Sequence, residues 1–180
     1  SRWYKKDPPF IPEVLESKTG MIGFRSTKTD RICGYLFGLS TFYKVKSIPF
    51  PLVDIIAYDE FIPMSGARKF KDEYKTFTTM YETVNRNREL NGEKPCKFIA
   101  MSNSEMLGNP MYLGLGVVNE ALKMQKDGKD VYNDLSRQLT IVILKDSPIS
   151  ERKANTALYQ LNRNSTLNKV SLKNEFLYDD

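Results

Sequence analysis

The segment Val53-Asp54-Ile55-Ile56-Ala57-Tyr58-Asp59-Glu60 is an apolar run that ends in two adjacent carboxylates. Folds that hydrolyse ATP use a strand of this kind. One carboxylate supplies an oxygen ligand to Mg²⁺, and the next polarises the attacking water. On that reading Asp59 is the metal ligand and Glu60 the base, although an ordinary surface turn also accounts for such a pair. A second apolar run, Lys97-Phe98-Ile99-Ala100-Met101, ends in Ser102-Asn103. That small polar pair could meet a γ-phosphate or the catalytic water, and a strand-end turn explains it as well. Arg86-Asn87-Arg88-Glu89 follows a long amphipathic stretch. Two arginines in the last turn of a helix suit its dipole. The sharper reading is an arginine finger, a guanidinium that stabilises charge on a neighbouring subunit's nucleotide. Lys44 and Lys46 are open between solvated charge, DNA contact and phosphate contact.

Composition narrows the chemistry. Histidine is absent from the 180 residues, which removes Ser-His and Cys-His nucleophile schemes and every His-ligated metal. Cys33 and Cys96 are too few and too far apart for a zinc cluster or a disulfide framework, and point to a reducing cytoplasm. Carboxylates, Lys, Arg, hydroxyls and backbone amides remain, an inventory that suits nucleotide hydrolysis. The net charge of +5 permits a polyanion such as DNA without demanding one. No apolar run approaches a membrane span, and the amino terminus shows no signal-peptide pattern. It also lacks an initiator Met, which hints at an excised piece. No Gly-x-x-x-x-Gly-Lys-Ser/Thr loop occurs. Either the chain begins after its own phosphate-cradling loop, or it is not an ATPase.

The elements that must position these residues follow from pattern. Residues 1–20, with prolines at 8, 9 and 12, read as irregular. Residues 21–24 and 32–39 predict a hairpin around a polar turn at 25–30. Residues 40–47 suit a short helix or a loop. The spacing of Phe70, Tyr74, Phe77, Tyr81 and Val84 predicts a helix over 67–91 that stops at Asn91-Gly92. A helix is expected over 111–125, weakened by Gly114 and Gly116. Lys126-Asp127-Gly128-Lys129-Asp130 reads as a turn, residues 138–144 as a third buried strand, and 151–161 as a helix capped by Ser150. Strand, long helix, strand, helix, strand is the order of a parallel sheet with crossover helices, and apolar strands without alternation agree with it. The strands ending at Asp59 and Ser102 are then expected to be adjacent, with both polar pairs in one crevice.

Taken in order, Ile55-Ile56-Ala57-Tyr58-Asp59-Glu60-Phe61-Ile62, Thr83-Val84-Asn85-Arg86-Asn87-Arg88-Glu89, Phe98-Ile99-Ala100-Met101-Ser102-Asn103-Ser104 and Asn109-Pro110 resemble the DNA-packaging ATPases of φ29-like phages. The tail Val170-Ser171-Leu172-Lys173-Asn174-Glu175-Phe176-Leu177 is similar to the stretch near the end of that family's ATPase domain. The resemblance is most secure over 53–110. It implies an α/β fold: a RecA-like (ASCE) P-loop NTPase core with a mostly parallel sheet and flanking helices, its first strand and P-loop not in the chain. The whole chain would be a partial ATPase domain. Residues 1–50 would follow Walker A, 51–162 would form the core, and 163–180 would lead toward a missing carboxyl-terminal domain. By position it implies Asp59 as the Walker-B metal residue, Glu60 as the catalytic glutamate and Arg86 as the finger acting in trans. Ser102 and Asn103 would be the coupling segment, and Lys46 matches more loosely a lysine ahead of Walker B. ATP and Mg²⁺ would be the cofactors. The partners would be double-stranded DNA, the portal and prohead, and further copies in a homomeric ring, with no membrane. The setting would be the cytoplasm of the infected bacterium, transiently at the portal vertex. Two rival readings stand beside this one: another nucleic-acid translocase or helicase, and a non-catalytic phage protein binding DNA or a portal.

Overall fold

The computed structural model describes the backbone of 12–16 and residues 20–50, 52–62, 70–103, 107–144, 150–163, 165, 168 and 172. The chain forms two compact units. One comprises Ser1–Ile56 with Lys75–Phe98, the other Ala57–Tyr74 with Ile99–Asp180.

The first unit opens with an antiparallel sheet in the order β1 (Pro12–Glu16), β2 (Ile22–Ser26), β3 (Ile32–Leu36). The expected hairpin is β2–β3. Its turn closes through Asp30 N–H donating to Ser26 O at 2.8 Å and an Arg25–Asp30 ion pair at 3.0 Å. Strand β1 corrects the irregular reading of residues 1–20. Pro12 stands at the first position of an edge strand, where a missing N–H is tolerated. A 3₁₀ helix over Leu39–Lys44 follows. Phe37, Phe42, Phe50 and Tyr35 form an aromatic cluster beside it, with Tyr35 edge-on to Phe50 at 5.2 Å.

Strand β4 (Ile55–Asp59) pairs with β5 (Lys97–Met101) in a two-stranded sheet. Lys97 N–H donates to Asp54 O at 2.8 Å where the strands begin, and Phe61 N–H to Met101 O at 3.4 Å where they end. Start meets start and end meets end, so the pair is parallel, and the expected adjacency of the Asp59 and Ser102 strands is present. Two expectations about this sheet need correction. Its strands alternate between exposed and covered positions, with Ile55, Ile99 and Met101 exposed, instead of being buried on both faces. The third strand is β7 (Leu139–Val142), which pairs antiparallel with β6 (Val131–Asp134). Among the described residues the mostly parallel sheet is this one pair.

Helix α1 (Glu73–Asn85) carries part of the anticipated stripe: Phe77 and Val84 are buried, Tyr74 and Tyr81 half-buried, and Met80, outside the stripe, is buried with them, while Phe77 packs against Phe98 at a ring separation of 4.4 Å. It is shorter than the expected 67–91, because Arg86 takes a left-handed φ of 45° that a helix cannot continue. Residues 63–69 lie outside the described residues. Glu89–Asn91 form a separate 3₁₀ turn closed by Gly92 at φ 75°. The Ser150–Leu161 helix is likewise two pieces, α4 (Ser150–Ala154) and α5 (Ala157–Leu161), parted by an extended Thr156. Ser150, expected as a cap, is the first residue of α4.

The helix expected over 111–125 is broken at Gly116 (φ 64°) into α2 (Pro110–Leu115) and α3 (Val118–Asp127). Asn109 caps α2 by accepting Tyr112 N–H at 2.9 Å. Val117, Met124 and Ile141 form a buried cluster with Tyr112, Leu115 and Tyr132 around it. A Cβ on Gly114 would overlap the Tyr74 ring at Cγ, Cδ1 and Cδ2. Gly114→Ala should therefore destabilise the chain by roughly 1–3 kcal/mol, as overpacking does. A urea midpoint unchanged from the parent would contradict that packing.

Candidate functional site

Asp59 is the last residue of β4, and Glu60 directly follows with φ 54°. A non-glycine residue in the left-handed region is strained by about 1–3 kcal/mol and persists only where its surroundings impose it. Those surroundings are visible. Phe61 and Ile62 are buried, and Phe61 packs on Tyr112 at 5.6 Å. The Ser102 hydroxyl accepts Ile62 N–H at 3.2 Å and donates to Ile62 O at 3.4 Å. This clip joins the segment after Glu60 to the end of β5, while Glu60 N–H donates to Asp59 Oδ1 at 3.0 Å. The carboxylates of Asp59 and Glu60 are left exposed, as is Asn103.

Support comes from behind the strand. Tyr58 OH donates to Glu73 Oε1 at 2.5 Å, fixing β4 to the first turn of α1, where a carboxylate suits the helix dipole. Burial, then the bond and charge of Glu73, raise the Tyr58 hydroxyl well above its ordinary range, so it remains a donor. The sequence analysis did not identify Tyr58 and Glu73, which are fifteen positions apart and carry no motif.

Asp59, Glu60, Ser102 and Asn103 thus lie at the carboxyl end of one parallel strand pair. Among the described residues no group of three or more His, Cys, Asp or Glu side chains could cage a metal. That donor set fits Mg²⁺ bound in the manner of nucleotide enzymes, through one or two carboxylates with the remaining positions left to phosphate and water. Ser102 is already engaged by the Ile62 backbone, which gives it a positioning task whatever else it contacts.

Arg86 and Lys46 belong to the other unit. Arg86 stands just beyond α1, exposed, with its Nε donating to Thr83 O at 3.3 Å. It borders a shallow cleft of about 210 Å³ together with Phe50, Val84, Asn85, Arg88 and Glu93. The helix-dipole account of the two arginines is corrected, since no basic residue lies in the last turn of α1. Arg88 instead pairs with Asp54 at 3.6 Å. Lys46 is exposed in the turn after the 3₁₀ helix, and Lys44 lies over the Tyr43 ring at 5.8 Å. Of the tail motif 170–177, only residue 172 is among the described residues.

A family model described as Podovirus DNA encapsidation protein (Gp16) matches residues 13–180. The DNA packaging protein of Bacillus phage B103 is 27% identical over 150 residues, covering 83% of this chain and 43% of that protein. The DNA packaging protein of Bacillus phage phi29 is 26% identical over 151 residues, covering 83% and 41%. The chain therefore spans less than half the length of these relatives. Among solved structures, the N-terminal domain of the DNA packaging ATPase from bacteriophage phi29 superposes with a TM-score of 0.55. That match is 22% identical and covers 74% of this chain and 60% of that one, a likeness of fold.

Proposed function

The chain belongs to the Podovirus DNA encapsidation (Gp16) family, and from that premise we propose that it is part of the ATPase domain of a genome-packaging motor subunit. The motor couples ATP hydrolysis to movement of double-stranded DNA through a portal into a prohead, in a homomeric ring. It works in the infected host cell, at the portal vertex while packaging proceeds. The observation that carries this reading is the parallel β4–β5 pair, which presents Asp59-Glu60 and Ser102-Asn103 at one end. In a RecA-like core that end faces the nucleotide.

Asp59 supplies an oxygen to Mg²⁺. Glu60, exposed and with a left-handed backbone at φ 54°, holds and deprotonates the attacking water. Bound Mg²⁺ neutralises charge on the β- and γ-phosphates. Ser102 fixes the loop after Glu60 through Ile62, and Asn103 is free to report the state of the γ-phosphate. Lys46 contributes a phosphate contact, and Arg86 reaches a neighbouring subunit's nucleotide. The relatives are more than twice the length of the matched segment, and no Gly-x-x-x-x-Gly-Lys-Ser/Thr loop occurs in these 180 residues.

The test compares this chain with the full-length protein. The 180-residue chain should bind ATP weakly and turn it over negligibly, since the phosphates lack their backbone cradle and lysine. The full-length protein should hydrolyse ATP in a manner stimulated by double-stranded DNA and portal-bearing proheads. Full-length protein without nucleic-acid-dependent hydrolysis would favour a non-catalytic binding role. Tight ATP binding by the short chain in calorimetry would show that the missing loop is not needed.

A further inference from the structure

The features that end α1 also hold the turn that carries Arg86. Asn85, the last helical residue, is 5% exposed. Its Oδ1 accepts Cys96 N–H at 2.8 Å, and its Nδ2 donates to Glu89 Oε2 at 2.8 Å. Cys96, 3% exposed, has every polar group engaged. Its carbonyl accepts Tyr81 OH at 2.8 Å, and its thiol donates to Val53 O at 2.8 Å. Burial raises the thiol above its ordinary range, which keeps the proton that bond needs. Two residues past Arg86, Arg88 is largely buried, its side chain 11% exposed, and pairs at 3.6 Å with the exposed carboxylate of Asp54.

Arg86 is therefore bracketed by anchored neighbours. It is itself exposed and held in a left-handed conformation at φ 45°. The anchors are not arbitrary points. Val53 and Asp54 directly precede β4, and Cys96 directly precedes β5, the two strands that end in Asp59 and Ser102. A thirteen-residue helix with a frayed end would present a guanidinium in many places. Here the turn that carries it is held, with backbone strain at Arg86 and two buried hydrogen-bonding residues behind it.

We propose that Asn85 and Cys96 are positioning residues for Arg86, locking the left-handed turn from which its guanidinium meets a nucleotide phosphate. This rests on the reading of Arg86 as a phosphate-engaging residue. Misplacing a catalytic group by about 1 Å costs on the order of 10²-fold in rate, and the Asn85 bonds are what tie this turn to Cys96 and Glu89.

The experiment uses the full-length protein with DNA and proheads. Asn85→Ala should lower kcat by about 10²-fold with KM little changed, and amide exchange should quicken at residues 86–93. Cys96→Ala, the milder variant in case Asn85→Ala fails to fold, should show a smaller loss of kcat. Cys96→Ser should restore it, because the hydroxyl can donate to Val53 O. In an Arg86→Ala background, Asn85→Ala should cost nothing further. If the two losses multiply, Asn85 acts through general stability and the proposal is overturned. It is also overturned if Asn85→Ala and Cys96→Ala both leave kcat intact while Arg86→Ala abolishes it. If Arg86→Ala is itself silent, the reading of Arg86 fails and the positioning role goes with it. The exchange measurement would still show whether Asn85 orders the turn.

Discussion

Glu60→Gln in the full-length protein should bind ATP as the parent does and hydrolyse it about 10²–10⁴-fold more slowly, the usual cost of losing a general base. The amide keeps the size and the left-handed backbone of Glu60 and loses the proton acceptor. With Asp59 holding Mg²⁺ as proposed, nucleotide affinity should stay near that of the parent. Single-turnover hydrolysis and equilibrium nucleotide binding measured on the same preparations separate these effects. Near-normal turnover would remove Glu60 from the mechanism. The backbone supplies an independent check. Glycine adopts φ 54° without the Cβ penalty. Glu60→Gly should therefore match Glu60→Gln in lost activity and exceed it in stability by about 1 kcal/mol, read as a rise in the urea midpoint. If Glu60→Gly is no more stable than Glu60→Gln, the strain argument fails.

What was legible in the sequence had a period or a spacing. The hairpin β2–β3, the runs that became β4 and β5, and the buried stripe of α1 were all readable from the order of apolar residues. So were Asp59-Glu60 and Ser102-Asn103 as strand-end pairs. Partnership was harder to read. An apolar run such as residues 138–144 does not say what it pairs with, and its partner β6, Val131-Tyr132-Asn133-Asp134, is four residues without an apolar period. The end of α1 was misplaced because Asn91-Gly92 is the first local stop signal after the stripe, whereas tertiary bonds end the helix at Asn85. Asn85 is captured by Cys96, eleven positions away, and no local propensity records that. The left-handed φ of Glu60 was equally invisible. It is imposed by Phe61, Ile62 and the Ser102 clip from the neighbouring strand. The structure thus added the bonds that hold the candidate residues, which reach across the fold, while the residue types themselves were written locally.

Arg86→Ala should cost about 10³–10⁵ in ATP turnover if the residue is an arginine finger, and mixing should show on which subunit's nucleotide it acts. The length of α1 does not itself argue for a role in trans. Helix α1 has thirteen residues, about 20 Å at 1.5 Å per residue. What supports the role is the exposure of Arg86 and its anchored left-handed turn. Combine two inactive full-length variants, Arg86→Ala and Glu60→Gln, in equal amounts and let them assemble together. In a head-to-tail ring each interface joins one subunit's finger to the next subunit's carboxylate. Random assembly then pairs an intact Arg86 with an intact Glu60 at roughly a quarter of interfaces. ATP hydrolysis should return toward that fraction of the parent rate, less if neighbouring sites must fire together. Within a single subunit the two lesions never complement, because each variant lacks one of the groups. If mixed rings form, as shown by co-purification of differently tagged variants, and no activity returns, Arg86 serves its own subunit's nucleotide or is only a charge at a helix end. Recovery that scales with the product of the two variant fractions would place the finger across the interface.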